Sequence, residues 1–221
     1  MAEKIYDLTQ PFYEGMSRMS FMPSPTVRTL PARAAHVQEI VALTHVGTHM
    51  DAPLHVVPGG KSIDEIPLSQ VIGEGVVLDV SKNQAEPITR EDIETAQPAI
   101  EPDDIVFLYT GWGAKFGTPE YDPHPYLSEE AAQYLVDRRV KVVGLDTLTP
   151  DLPAPLRPKE GFKGPIHQIL LSNGVLIIEN LASLHQVAGK RLELFAAPVK
   201  LREGDGGYVR VFALEKEQTV G

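Results

Sequence analysis

Short apolar runs bounded by Gly, Pro and charged residues recur along the chain, and they set its predicted elements. Ile5 to Leu8 reads as a short strand, and Val37 to Val46 as a strand leading into a His-rich segment. Gly73 to Val80, Ile105 to Tyr109, Val140 to Leu145 and Val175 to Ile178 read as buried or strongly apolar strands. Phe195 to Lys200 and Val209 to Leu214 close the sheet.

Helices are fewer. Thr89 caps a short helix through Glu94, and Ser128 caps one that runs to about Arg139. Glu129 and Glu130 lie in the first turn of the latter, where the helix dipole favours them. Ile166 to Leu171 reads as a short helix stopped by Ser172-Asn173-Gly174, after the Pro-rich loop Pro150 to Pro158. Pro11 to Pro31, rich in Pro, Ser and Met, reads as an irregular loop. Its methionines and Phe21 would pack over a pocket or cover a partner surface. With no internal repeat and no linker, residues 1–221 are expected to form one α/β domain around a mixed β-sheet.

Composition narrows the function. A net charge of -10 with no basic run removes the electrostatic support that nucleic-acid binding needs, so a small-molecule ligand is expected. The absence of cysteine excludes disulfides and thiolate metal sites. Neither a leader with an apolar core nor a membrane span of about 20 apolar residues is visible, so a cytoplasmic location is expected.

The chemistry concentrates in His45-Val46-Gly47-Thr48-His49-Met50-Asp51-Ala52-Pro53-Leu54-His55. The polar groups His45, His49, Asp51 and His55 occupy odd positions, and apolar groups fill most even ones. On an extended backbone the two sets point to opposite faces. His49 and Asp51, roughly 6.5 Å apart along a strand, easily share an ion. His45 and His49 span about 13 Å if straight, so a kink is expected at Gly47, with the metal beside it. Imidazole and carboxylate ligands suit zinc, manganese or iron, and a cysteine-free set suits a catalytic ion with open positions. Four unrelated polar residues on a solvated strand face are the bland alternative.

Two further residues stand out. His167 lies in Gly164-Pro165-Ile166-His167, and Glu179 follows the apolar run Val175 to Ile178. Asp146 could border a site or cap a turn. His36 and His185 read as structural, His124 as a surface residue, and Trp112 as packing.

Taken together, these motifs resemble the cyclase family of metal-dependent hydrolases, which includes bacterial kynurenine formamidases and isatin hydrolases. The pattern H-x-G-T-H-x-D-x-P-x-H is met from His45 to His55, and the His–Glu pair twelve residues apart is met by His167 and Glu179. Asp7-Leu8-Thr9, Gly75 to Asp79, Thr110-Gly111-Trp112, Gly144 to Thr147 and Pro198 to Leu201 extend the likeness over nearly the whole chain. The Trp-Pro-Gly-Asp loop of kynurenine formamidases has no counterpart here. Met16 to Pro23 stands in its place, with Phe21 or Met19 available to fill in for the Trp.

The resemblance implies a swivelling β/β/α-type fold and a homodimer or homotetramer. It implies that His45, His49 and Asp51 hold one divalent metal, zinc or manganese, with Asp51 bridging to a second held by His167 and Glu179. His55 would be the general acid and base in hydrolysis of an amide, lactam or ester. A cyclase or dehydratase using the same ion, or a non-catalytic metal or small-acid binding protein, remains open on the residues alone.

Overall fold

A computed structural model describes residues 4–31 and 34–215. Residues 1–3, 32–33 and 216–221, parts of the domain expected over 1–221 and of the N-terminal segment read for a leader, lie outside the described residues. The strands are β1 (Lys4–Asp7), β2 (Thr26–Leu30), β3 (Val37–Val41), β4 (His49–Asp51), β5 (Ile72–Asp79), β6 (Pro87–Ile88), β7 (Ile105–Tyr109), β8 (Tyr126–Leu127), β9 (Val142–Leu145), β10 (Leu176–Glu179), β11 (Lys190–Pro198) and β12 (Gly206–Glu215). The helices are α1 (Leu68–Val71), α2 (Arg90–Thr95), α3 (Glu129–Asp137) and α4 (Pro165–Ser172).

Eight strands form one mixed sheet in the order β1-β12-β11-β5-β7-β9-β10-β4. Because β4 also pairs with β12, the sheet curls until it meets itself. The run β5-β7-β9-β10 is parallel, and the remaining pairings of this sheet are antiparallel. This bears out the mixed α/β class.

The parallel strands are apolar on both faces because both are covered. Val77, Ile105, Phe107, Val142, Leu176 and Ile178 point into the space enclosed by the sheet. Their neighbours Val76, Leu78, Val106, Leu108, Val143 and Ile177 meet Ile93 of α2, Leu135 of α3 and Leu170 of α4 on the outside. Each such side chain stabilises the fold by about 1.5–3 kcal/mol on burial. Close packing demands glycine at two places. A Cβ on Gly75 would lie 2.1 Å from the Ile105 carbonyl oxygen, and one on Gly144 would lie 2.6 Å from the Phe107 ring.

Local signals explain the helix starts. Thr89 and Asp92 form a capping box on α2, and the Ser128 hydroxyl accepts the Ala131 N–H on α3. Pro165 opens α4, where its missing N–H has no helical partner to lose.

Three expectations are corrected. The strand expected over Val37 to Val46 stops at Val41 and pairs with Thr26–Leu30, inside the region expected to be irregular loop. This ribbon is mostly exposed on both faces, so it carries no inside-outside alternation to read. β11 begins at Lys190, five residues before the expected Phe195, because its charged first half has one face toward solvent. His124, read as a surface residue, is fully buried. Trp112 packs with Met19, Tyr121 and Leu148 as expected, while His36 and His185 are exposed. Among the described residues no helix is long and apolar enough to cross a membrane.

Candidate functional site

The carboxyl ends of the parallel strands are where α/β sheets place ligands. Glu179 ends β10 there, directly opposite His49 of the antiparallel β4. The backbone between Leu43 and Thr48 is not extended. It bends through Gly47 at φ 68°, the left-handed region that favours glycine, and this brings the His45 and His49 rings to 5.2 Å between centroids. The expected kink at Gly47 is present. Gly206, opposite Asp51, is equally constrained: a Cβ there would sit 2.8 Å from the His45 ring.

Buried polar groups hold the bend. The Gly47 carbonyl accepts from His49 Nδ1 at 2.8 Å and from Asn180 Nδ2 at 3.0 Å. The Thr48 hydroxyl donates to the Asn180 carbonyl at 2.7 Å, and the Tyr121 hydroxyl lies 3.0 Å from Asn180 Oδ1. Asp146 stands behind this lattice and accepts from Thr110 and Gly113, so it ties the loop after β7 to the end of β9.

Three imidazoles are each fixed from behind through one ring nitrogen. His45 Nε2 meets Asp205 Oδ2 at 2.8 Å, His49 Nδ1 meets Gly47, and His167 Nδ1 meets Asp151 Oδ2 at 2.5 Å. The opposite nitrogens converge on two carboxylates. His45 Nδ1 is 2.7 Å from Asp51 Oδ1, and His49 Nε2 is 3.4 Å from both Asp51 and Glu179. His167 Nε2 is 3.4 Å from Asp51 and 3.3 Å from Glu179. Two ligand sets share Asp51: His45, His49 and Asp51, and Asp51, His167 and Glu179. His45, His55 and Asp205 form a third cluster of the same kind.

These residues fit a divalent cation. His49 Nε2 and Asp51 Oδ2 are buried without a hydrogen-bond partner, a costly state that a cation relieves. Ligands about 2.1 Å from a tetrahedral ion stand about 3.4 Å apart, the separation seen for the His49 and His167 contacts. The donors are nitrogen and oxygen, as the cysteine-free chain requires. Outer partners on every ring are the arrangement that orients metal-ligating histidines.

Electrostatics agree. Burial opposes charge on His45, but Asp51 and Asp205 overcome it and raise its pKa to about 9. Burial likewise opposes charge on His49 and His167, and their carboxylate neighbours raise both pKa values. Asp51 is fully buried, yet the imidazoles around it hold it well below the usual carboxylate range. The centre therefore favours concentrated positive charge. His55 differs: burial lowers its pKa, and the attraction of Asp51 is offset by His45 and His167. It stays a neutral base near pH 7.

His55 ends the turn Pro53–His55 and sits beside the cluster, its ring 4.0 Å from His45 and its Nδ1 3.4 Å from Asp205. A cavity of about 310 Å³ opens over Asp51, His55 and His167, roofed by Met19, Phe21 and Met22. The methionine-rich loop thus covers a pocket, one of its two expected roles. All six site residues singled out in the sequence, His45, His49, Asp51, His55, His167 and Glu179, come together. Asp151 and Asp205 were not anticipated. Each lies among turn residues and far along the chain from its partner, so no local spacing marks it.

The family described as Putative cyclase matches residues 6–152. The chain belongs to the cyclase family. It is 33% identical over 167 residues to a kynurenine formamidase of Salinibacter ruber, spanning 76% of this chain and 74% of that one. It is 30% identical to a kynurenine formamidase of Erythrobacter litoralis, over 96% and 94% of the two chains. Among solved structures of similar fold, a predicted metal-dependent hydrolase from Bacillus stearothermophilus is 33% identical with a TM-score of 0.81, covering 98% and 100%. Isatin hydrolase A from Labrenzia aggregata is 27% identical with a TM-score of 0.84, covering 97% and 94%. Within this cyclase-family frame, a divalent metal at the His–Asp cluster is supported by both chemistry and kinship.

Proposed function

We propose that this chain is a metal-dependent hydrolase of a non-peptide C–N bond in a small molecule, similar to arylformamidases. The observation that carries the reading is the convergence of imidazole nitrogens on the buried Asp51 and Glu179, each ring locked from behind. His45, His49 and Asp51 would hold one divalent cation, and Asp51, His167 and Glu179 a second. Zinc and manganese are the proposed metals. Such a cation lowers the pKa of water toward about 7 and polarises a carbonyl.

The protein's own groups do the rest. His55, neutral and at the cavity edge, accepts the proton of the attacking water and returns it to the leaving nitrogen. Asp205 bonds both His45 and His55 and fixes the angle between them. Met19, Phe21 and Met22 give the cavity an apolar side. The exposed Leu30, Val37 and Val41, on one face of the β2–β3 ribbon, support a homodimer or homotetramer as the working assembly.

The test is metal analysis of purified protein joined to a screen of N-formyl arylamines and cyclic amides. Turnover that disappears with a chelator and returns with added zinc or manganese is expected. Metal-loaded protein inert toward every such amide would overturn the reading.

A further inference from the structure

The cavity over the cluster has a cation in its wall that the proposed hydrolysis does not use. Arg157 follows the turn Ala154–Leu156, and its Nε–H donates to the Leu152 carbonyl at 2.7 Å. Its guanidinium carbon lies 4.7 Å from the centre of the Phe162 ring. Arg157 and Phe162 both line the cavity, and neither contact uses the terminal N–H groups of the fork as donors. Among the described residues no carboxylate forms an ion pair with Arg157, although it is half buried. The nearest buried acid of that wall, Asp151, is committed to His167 and to the Ile166 N–H at the start of α4. Burial lowers the Arg157 pKa, the mark of a charge taken from water without full compensation.

A half-buried guanidinium without an anionic partner is expensive unless an anion arrives from outside. Lys163 lines the same cavity and adds a second positive charge. Met19, Met22 and Leu148 also line the cavity, which at about 310 Å³ lies at the small end of ligand pockets. Thioethers and an aromatic edge suit one flat ring.

We propose that the substrate of this pocket is an aryl amide that also carries a carboxylate on its ring, received bidentately by Arg157 with Lys163 in support. The turnover part rests on the hydrolase reading above; the binding part does not.

Two measurements separate them. In the first, benzoate and the neutral isostere benzamide are titrated into metal-loaded protein. The wild type is expected to bind benzoate more tightly, and Arg157→Met to lose about 10- to 100-fold for benzoate alone, with part restored by Arg157→Lys. Equal binding of the two probes by the wild type, or an equal loss of both in Arg157→Met, overturns the proposal, because Arg157 then only shapes the wall. In the second, formanilide is compared with 2-formamidobenzoate. Turnover of both at the same kcat/KM sinks the carboxylate preference while the hydrolase reading stands. No turnover of either, with Arg157-dependent benzoate binding intact, sinks the hydrolase reading and leaves the anion site.

Discussion

His124 makes a prediction that depends on the fold and not on the metal. The side chain is fully buried, its Nδ1–H donates to the Pro125 carbonyl at 2.8 Å, and its Nε2 has no partner. Burial, reinforced by the positive charge of Arg157, pushes its pKa down to about 4. In the unfolded chain the same imidazole titrates near 6.5. Between those values the unfolded state binds the extra proton, so stability falls as the pH drops from about 6.5 toward about 4 and is fully retained above that window. The total effect is about 3 kcal/mol, of which about 2 kcal/mol is lost between pH ~7.5 and pH ~5. That is a sizeable share of a typical 5–15 kcal/mol.

The assay is urea unfolding of wild type and His124→Asn at both pH values, at one fixed metal concentration. Asn keeps a short N–H donor for Pro125 and does not titrate. The variant is expected to be weaker at pH ~7.5 but to lose about 2 kcal/mol less on acidification. Other acids and imidazoles titrate alike in both proteins and cancel in the difference. Parallel pH slopes would refute the assignment of a neutral, buried His124.

Other consequences are as direct. His55→Ala should keep its metal by elemental analysis and lose about 100- to 10,000-fold in kcat, the usual contribution of a positioned acid–base group. Asp205→Asn should weaken metal affinity about 10- to 100-fold in a chelator competition, since it loosens the hold on His45 Nε2. Gly75→Ala should destabilise by about 3 kcal/mol or more in denaturant melts, because the carbonyl it meets belongs to the β5–β7 ladder and cannot yield.

Legibility in the sequence followed the range of the interaction. Buried strands such as Ile105–Tyr109 show in their own apolar run, and the caps Thr89 and Ser128 in their own chemistry. Of the six candidate site residues, His45, His49, Asp51 and His55 were readable from one short motif, whereas His167 and Glu179 stood out through the family resemblance and not through their own local pattern. Asp205 and Asp151 were not readable, since what marks them is a partner 160 residues away in one case and 16 in the other. β2 escaped notice, and β3 was read five residues too long, for the opposite reason. With both faces wet, neither pattern nor burial singles them out.

One last property follows from the shortness of β4. Three residues seal the curled sheet, with β10 along one edge and β12 along the other. His49 and Asp51 are on that clasp, and Glu179 sits across from it. A cation held by these three side chains would also tie β4 to β10, so its binding free energy would add to the stability of the closed sheet.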